Sequence, residues 1–351
     1  DYESRVFPAT LPDPIEAIKF RMEQADLKPA DLIPYIGSSG RVSEILSGKR
    51  TLTIEMIRNL EAGLGIPAKV LLKEPEVGES TLFSNWSSKL LKEMSSRGYF
   101  GRKSINNTNG KDLLRNFFLN IGSPLEFQGM LRQSGFRSAP TTDKHALAAW
   151  AGRVLEKAKG VKVSSKYKDG TVDLSFMQNI VKLSLKKNSP LVVQEYLKKH
   201  GIILVIEPHF VGTRLDGAAI MMNKKNPVIG LTLRHDRLDN FWFTLMHELA
   251  HIALHYNDDV GLFYDELEDV KGLDIGLKEK KTDNLAGEAL VPTNKWEVSP
   301  ARLIPSSMAA NSLAKELSVH VAIIAGKIRH EGGKYFYLNN IVSEAKVQQY
   351  F

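Results

Sequence analysis

A chain of 351 residues is long enough for two or three domains, and its 43% hydrophobic and 25% charged residues exclude wholesale disorder. It contains no cysteine, which excludes disulfides, cysteine-ligated zinc, iron–sulfur clusters and thiol nucleophiles. Its apolar runs are far shorter than the roughly 18 residues of a membrane span, and no leader is visible. We therefore expect a cytoplasmic protein without membrane contact.

The net charge of +7 is concentrated in one part of the chain. Residues 144–200 carry 12 Lys and Arg against 4 Asp and Glu. A solvated helical face rich in lysine explains such a stretch. Contact with an anionic partner explains it equally well, and nucleic acid is the leading candidate for that partner.

The first eighty residues predict an arm, a small helical domain and a linker. Residues 1–12 contain two prolines and no period, which is typical of a flexible arm. Short helical patterns follow over Ala30–Tyr35, over Gly40–Ser47 and after Thr51 or Thr53, with a tight turn at 36–39. These patterns predict a five-helix helix-turn-helix domain over 13–73 and a polar linker over 74–80.

Residues 28–50 resemble the Cro/repressor-type helix-turn-helix found in HigA-like antitoxins, with the sequence KPADLIPYIGSSGRVSEILSGKR. The resemblance implies that the amino end of the third helix enters the major groove of double-stranded DNA. The residues that would face bases or phosphates are Ser38, Ser39, Arg41, Ser43, Lys49 and Arg50. Residues 13–73 hold 9 basic and 8 acidic residues, which is a weak charge excess for a DNA binder. A domain that contacts only proteins is therefore an open alternative.

The rest of the chain predicts a helical basic middle region over 81–194 and a carboxy-terminal domain over 195–351. Near Gly201 the pattern changes to short β-branched segments, which predict strands over Ile202–Ile206, Gly217–Met222 and Val228–Leu233. After Asp239 the pattern is helical again. The fold class expected is therefore mainly α with a small β-sheet, that is, α+β.

The segment His247-Glu248-Leu249-Ala250-His251 is the most informative motif. On a helix, residues four apart lie one turn above each other, so both imidazoles can bind a single Zn²⁺. Glu248 lies beside them, where it can act as general base toward water. The flanking residues are apolar on nearly every side, which predicts a buried helix, and buried histidines and a carboxylate need partners. Two stacked core histidines are the alternative interpretation.

A third protein ligand must be His, Asp or Glu, since the chain lacks cysteine. Glu279 and Asp283 share one face of a predicted helix, which suits a Glu ligand followed by an Asp that fixes a histidine tautomer. Glu288, on another face, is the rival ligand, and a solvated charge run is the alternative for the whole segment. His255 cannot converge with both histidines of a straight helix, so we interpret it as a surface residue or one behind the ligands.

Residues 195–330 resemble the ImmA/IrrE family of zinc metallopeptidases through the strands, the segment LTLRHDRLDNFWFTLMHELAH and the later Glu279, Asp283 and Leu290-Val-Pro292. The resemblance implies a zincin-like domain that binds one zinc per chain through His247, His251 and Glu279, with Glu248 as the base. The family usually has Ala-Asn or Ala-Asp where this chain has Thr282-Asp283. It usually has Phe where Leu285 stands.

Together these resemblances predict a DNA-binding transcriptional regulator fused to a zinc-dependent endopeptidase that hydrolyses peptide bonds. The expected partners are an operator in double-stranded DNA and a protein substrate such as a repressor or antitoxin. A toxin and a second copy of the chain, as a homodimer, are further candidate partners. The alternative is a HigA-like antitoxin or repressor whose metal-binding domain is a sensor without proteolysis. The complete histidine–glutamate motif favours the enzyme, because a sensor has no need of Glu248.

Overall fold

The computed structural model describes residues 13–48, 50–72, 86–101, 105, 109–121, 135–136, 143–221, 226–256, 261–265, 277–333 and 335–351, and the side chains of 135–136, 261–265 and 277–278 are outside that description. The arm expected over 1–12, the linker expected over 74–80 and Lys49 also lie outside the described residues. The chain divides into two compact units, Asp1–Leu82 and Phe83–Phe351. The boundaries expected for the five segments stay predictions.

The amino-terminal unit consists of short helices around one core. They are α1 (Pro14–Gln24), a 3₁₀ turn (Pro29–Leu32), α2 (Ile33–Ile36), α3 (Ser39–Leu46), α4 (Ile54–Leu64) and α5 (Ala68–Leu71). Asp13 begins α1, because its carboxylate accepts hydrogen bonds from the N–H groups of Ile15 and Glu16. The apolar helix faces meet around the fully buried Ile18 and Leu60. With the 3₁₀ turn and α2 taken together, this is the five-helix layout expected from the sequence.

The carboxy-terminal unit is also mainly helical. Its helices are α6 (Ser88–Ser96), α7 (Gly110–Ile121), α8 (Lys144–Lys159), α9 (Leu174–Val181), α10 (Ser189–Lys199), α11 (Leu238–His255), α12 (Leu277–Leu290), α13 (Thr293–Glu297), α14 (Pro300–Leu303), α15 (Ser307–Leu317), α16 (Val321–Gly332) and α17 (Asn339–Glu344), with 3₁₀ turns at Lys182–Leu185 and Gln348–Tyr350. None of the described helices combines the length and apolar character that crossing a bilayer requires.

A mixed sheet lies within this unit. Its strands are β1 (Gly135–Phe136), β2 (Ile203–Ile206), β3 (Gly217–Met221), β4 (Val228–Leu231) and β5 (Gly261–Asp265), in the order β1-β5-β3-β4-β2. Strands β2 and β4 are parallel, β3 is antiparallel to β4 and β5, and β5 is parallel to β1. The three strands expected from the sequence are present and slightly shorter, whereas β1 and β5 were not expected. The fold is mainly α with a small β-sheet.

Helices α8 and α11 pack on opposite faces of the sheet. Gly217 of β3 pairs with Leu231 of β4, and the next pair is Ala218 with Gly230. A Cβ atom at Gly217 would meet Thr244 of α11, whereas one at Gly230 would lie 2.6 Å from the Trp150 ring of α8. Since successive residues of a strand face opposite sides, the two glycines let one helix approach each face.

Residues of the expected middle region share a core with the expected carboxy-terminal domain. Met177 of α9 and Val193 of α10 are fully buried in the same cluster as Trp242 and Leu249 of α11. Helix α8 is tied to the sheet as well, because the indole N–H of Trp150 donates to the carbonyl of Glu207 at 2.7 Å. The stretches on either side of residue 194 therefore pack together.

Candidate metal centre

Helix α11 holds the histidine–glutamate motif in the interior of the carboxy-terminal unit. The side chains of His247, Glu248 and His251 are fully buried. The rings of His247 and His251 lie one turn apart with centroids 4.7 Å apart, and their Nε2 atoms are 3.0 Å from each other. Both imidazoles therefore direct the same nitrogen toward one point, as their helical spacing predicts.

Helix α12 brings a carboxylate to the same point. The Oε2 atom of Glu279 lies 3.6 Å from Nε2 of His247 and 3.6 Å from Nε2 of His251. Glu279 is in the first turn of α12, and α12 packs along α11. Donor atoms of His247, His251 and Glu279 all lie within 4.8 Å of one another.

These three donors fit a divalent metal ion. Ligand atoms about 2.1 Å from a tetrahedral zinc are about 3.4 Å from one another. The observed separations of 3.0, 3.6 and 3.6 Å bracket that value. Two imidazole nitrogens and one carboxylate oxygen are also a donor set that zinc accepts while keeping a further position open.

Asp283 lies beside the ring nitrogen of His247 that faces away from the metal donors. Its Oδ1 atom lies 3.0 Å from Nδ1 of His247, whereas Nε2 of the same ring points at Glu279. Asp283 follows Glu279 by four residues, so α12 presents both carboxylates on one face. A carboxylate at Nδ1 favours the tautomer whose Nε2 has a lone pair for a metal.

The carboxylate of Glu248 lies against the sheet. A Cβ atom at Gly217 would be 2.8 Å from Oε1 of Glu248 and 2.7 Å from the methyl carbon of Thr244. The missing side chain at Gly217 thus leaves the space that the carboxylate occupies. Sequence reasoning missed this residue, although a glycine inside a strand pattern signals a close approach.

The structure separates the other candidate residues from the three donors. The carboxylate of Glu288 accepts hydrogen bonds from the N–H and hydroxyl of Thr293, at 2.9 and 2.6 Å, at the far end of α12. His255 is buried, with its ring 5.8 Å from that of His251, which excludes the surface position expected as one alternative and agrees with the other, a place behind the ligands. His320 begins α16 by accepting from the N–H of Ala322. Burial lowers the pKa of His320.

The expected DNA-contacting residues from Ser38 to Ser43 lie at the N-cap of α3 or within that helix, in the amino-terminal unit. Ser39, Arg41 and Ser43 are exposed. The hydroxyl of Ser38 accepts a hydrogen bond from the N–H of Arg41 at 3.4 Å and so caps the helix. Arg50 donates from Nε to Glu44 at 2.5 Å, so a carboxylate already offsets its charge.

Comparison with known proteins finds similarity in both parts of the chain. Residues 198–328 match the family model of the IrrE N-terminal-like domain, a peptidase family designated M78. Residues 198–328 are thus similar to the IrrE N-terminal-like domain. This domain contains the described strands β2 to β4 and helices α11 and α12. The match supports the resemblance expected from the sequence, and the family that it describes is one of peptidases.

The amino-terminal region is similar to antitoxins. Antitoxin HigA of Escherichia coli K12 and antitoxin HigA of Shigella flexneri are each 41% identical to this chain over 64 residues, which is 18% of the chain. The match spans 46% of the length of those antitoxins, which is about half. No solved structure matches the chain. The similarity supports a helix-turn-helix domain joined to the IrrE N-terminal-like domain.

Proposed function

We propose that the chain is a DNA-binding transcriptional regulator fused to a zinc-dependent endopeptidase, which cleaves a repressor- or antitoxin-type protein. The observation that carries the proposal is the convergence of His247, His251 and Glu279 beside the buried carboxylate of Glu248. Three ligands alone would suit a metal store or a sensor. A carboxylate that follows the first ligand on the same helix adds the base that hydrolysis needs.

In this proposal Nε2 of His247, Nε2 of His251 and Oε2 of Glu279 would hold one zinc ion per chain. When bound, zinc supplies Lewis acidity, which promotes ionisation of water and polarises a peptide carbonyl. Asp283 holds the proton on Nδ1 of His247, so Nε2 of that ring keeps its lone pair for the metal.

Glu248 performs the proton transfers. Its carboxylate takes a proton from the attacking water and returns that proton to the leaving nitrogen of the scissile peptide bond. Glu248 is fully buried and its carboxylate lies against Gly217 of β3, so packing limits the positions that this carboxylate can take. Positioned general acid–base groups contribute about 10²–10⁴-fold to such reactions.

The antitoxin-like amino-terminal domain supports the regulatory half of the proposal. The exposed Ser39, Arg41 and Ser43 suit contact with an operator in double-stranded DNA. Ser38, Lys49 and Arg50 complete the proposed DNA-binding set. Because the amino-terminal region is similar to antitoxins, a toxin and a second copy of the chain are further candidate partners. We propose that the protein acts in the cytoplasm. Binding to DNA or to a partner would localise the peptidase to its protein substrate.

The deciding experiment compares the wild-type protein with Glu248→Gln. Each is loaded with zinc and incubated with the proteins encoded beside its gene, and cleavage is followed by mass spectrometry. We expect cleavage by the wild type and none by Glu248→Gln, with equal zinc content, since the substitution removes the base and leaves the ligands.

The same experiment tests the alternative, a HigA-like repressor with a metal-binding sensor domain. That function predicts zinc in both proteins and no cleavage by either. Cleavage at equal rates by both proteins would show that Glu248 is not the base.

A further inference from the structure

A second site lies in the carboxy-terminal unit, apart from the three metal donors. A cavity of about 890 Å³ opens where β2 and β4 end, next to α8 and α10. Its volume is in the range of small-molecule sites. None of the residues that line it belongs to the proposed metal centre, so the peptidase mechanism does not account for it.

The charged side chains among the described residues that line this cavity are all cationic. Arg97, Lys157 and Arg234 line it together with His209, and none of the described residues that line it is acidic. The carboxylates that pair with the three cations are Glu93, Glu207 and Asp216, and these lie outside the lining. The remaining lining is mostly apolar and includes Val211 and Phe351.

The cationic groups are held in fixed positions. Arg97 donates to the carbonyls of Pro208 and His209, both at 2.9 Å. Arg234 donates through Nε and Nη2 to the two carboxylate oxygens of Asp216. Cations that are fixed before a ligand arrives lose little entropy when they bind one.

Two further observations agree with a binding site. Partial burial lowers the pKa of His209, and the positive charges of Arg234 and Arg97 lower it further. Leu233, which also lines the cavity, has a left-handed φ of 51°. Strained backbone of this kind clusters at ligand clamps and active sites.

We propose that this cavity binds a small organic anion, in which a carboxylate, sulfonate or phosphate adjoins an apolar or aromatic body. The anion would face Arg97, Lys157 and Arg234, and the apolar body would lie along the lining between them. This inference concerns binding alone and does not rest on the peptidase function.

The test uses anilinonaphthalene sulfonate, an aromatic anion whose fluorescence rises on binding. Phenylnaphthylamine, which has the same rings without the sulfonate, is the neutral control probe. The matched variants are Val211→Glu and Val211→Gln, which differ in charge and little in size. Val211 is 69% exposed and so tolerates either side chain. Circular dichroism checks that both variants are folded.

We expect one anion site per chain whose affinity responds to the charge at position 211. Binding of the anion should be about tenfold weaker in Val211→Glu than in Val211→Gln. We expect the neutral probe to bind more weakly than the anion and to bind the two variants with equal affinity. Equal anion binding by the two variants, equal affinity of the wild type for both probes, or no binding of the anion would each overturn the proposal.

Discussion

The Nδ1 atom of His247 lies 3.0 Å from the Oδ1 atom of Asp283, on the side of the ring that faces away from Glu279. One helix, α12, therefore contacts both nitrogens of this imidazole. Glu279 meets the side where a metal would bind, and Asp283 meets the opposite side. The orientation of His247 thus depends on the register of α12 against α11 as much as on α11 itself.

Removing Asp283 should weaken metal binding without removing a ligand. We expect Asp283→Ala to lower zinc affinity about 10–100-fold, which is typical when the partner of a ligating histidine is lost. Competition with a chelator of known affinity measures the change. Glu288→Gln is the control, because Glu288 binds Thr293 and lies away from the donors. Unchanged affinity in Asp283→Ala would mean that this carboxylate does not hold the histidine.

The metal content of the purified protein should be about one zinc per chain. We expect His247→Ala to lose the metal, since the two donors that remain are too few to hold it. Added zinc should raise the melting temperature of the wild type and leave that of the double variant His247→Ala/His251→Ala unchanged. His330→Ala, an exposed histidine, is the control and should keep its zinc. Full zinc in the double variant would refute the site.

Gly217→Ala should impair catalysis while the metal stays bound. The new Cβ atom would lie 2.8 Å from Oε1 of Glu248 and 2.7 Å from Thr244, so the carboxylate or α11 must move. Displacing a catalytic group by about 1 Å costs about 100-fold in rate. Rates on a verified substrate, with zinc content measured in parallel, test this expectation.

Gly287→Ala in α12 is the matched control for that variant. A Cβ atom there meets nothing within 4 Å. We expect cleavage to be unchanged and the free energy of unfolding to rise by about 1 kcal/mol, because alanine is the better residue inside a helix. If Gly217→Ala cleaves as fast as Gly287→Ala, the close approach of Glu248 to the strand has no catalytic role.

Mutations should distinguish contacts with DNA bases from contacts with DNA phosphates. Arg41→Ala should relax sequence preference by about 1–3 kcal/mol if Arg41 contacts a base through two hydrogen bonds. Changing Lys162, Lys166 and Lys168 together to Gln should weaken binding to all sequences about equally and flatten its salt dependence, because these exposed lysines can contact only phosphates.

Selection from random duplexes followed by binding at several salt concentrations measures both effects. If the full chain shows no sequence preference, the helix-turn-helix unit is better explained as a protein-docking module. The metallopeptidase proposal would be unaffected by that result.

The sequence alone predicted the features that depend on near neighbours along the chain. The spacing of His247 and His251 predicted two imidazoles on one face of a buried helix, and α11 has them there. The short helices of the amino-terminal unit and strands β2 to β4 were likewise predicted from patterns of a few residues. Helical and strand periods are properties of local backbone geometry, so they can be read from the sequence.

The sequence did not predict strands β1 and β5, because these strands depend on residues far away in the chain. Gly135–Phe136 is too short to show alternation. Gly261–Asp265 follows a stretch whose pattern is helical, and it becomes a strand by pairing with β3. The pairing partner, and not the local pattern, determines the structure of such segments.

Only the tertiary structure decided which groups complete the site. Spacing left Glu279 and Glu288 as rivals, and the packing of α12 on α11 brings Glu279 to both histidines while Glu288 binds Thr293. The contact between Gly217 and Glu248 depends in the same way on how α11 lies across the sheet. These distances join residues far apart in the chain, and they are set by how helices and strands pack rather than by any local period.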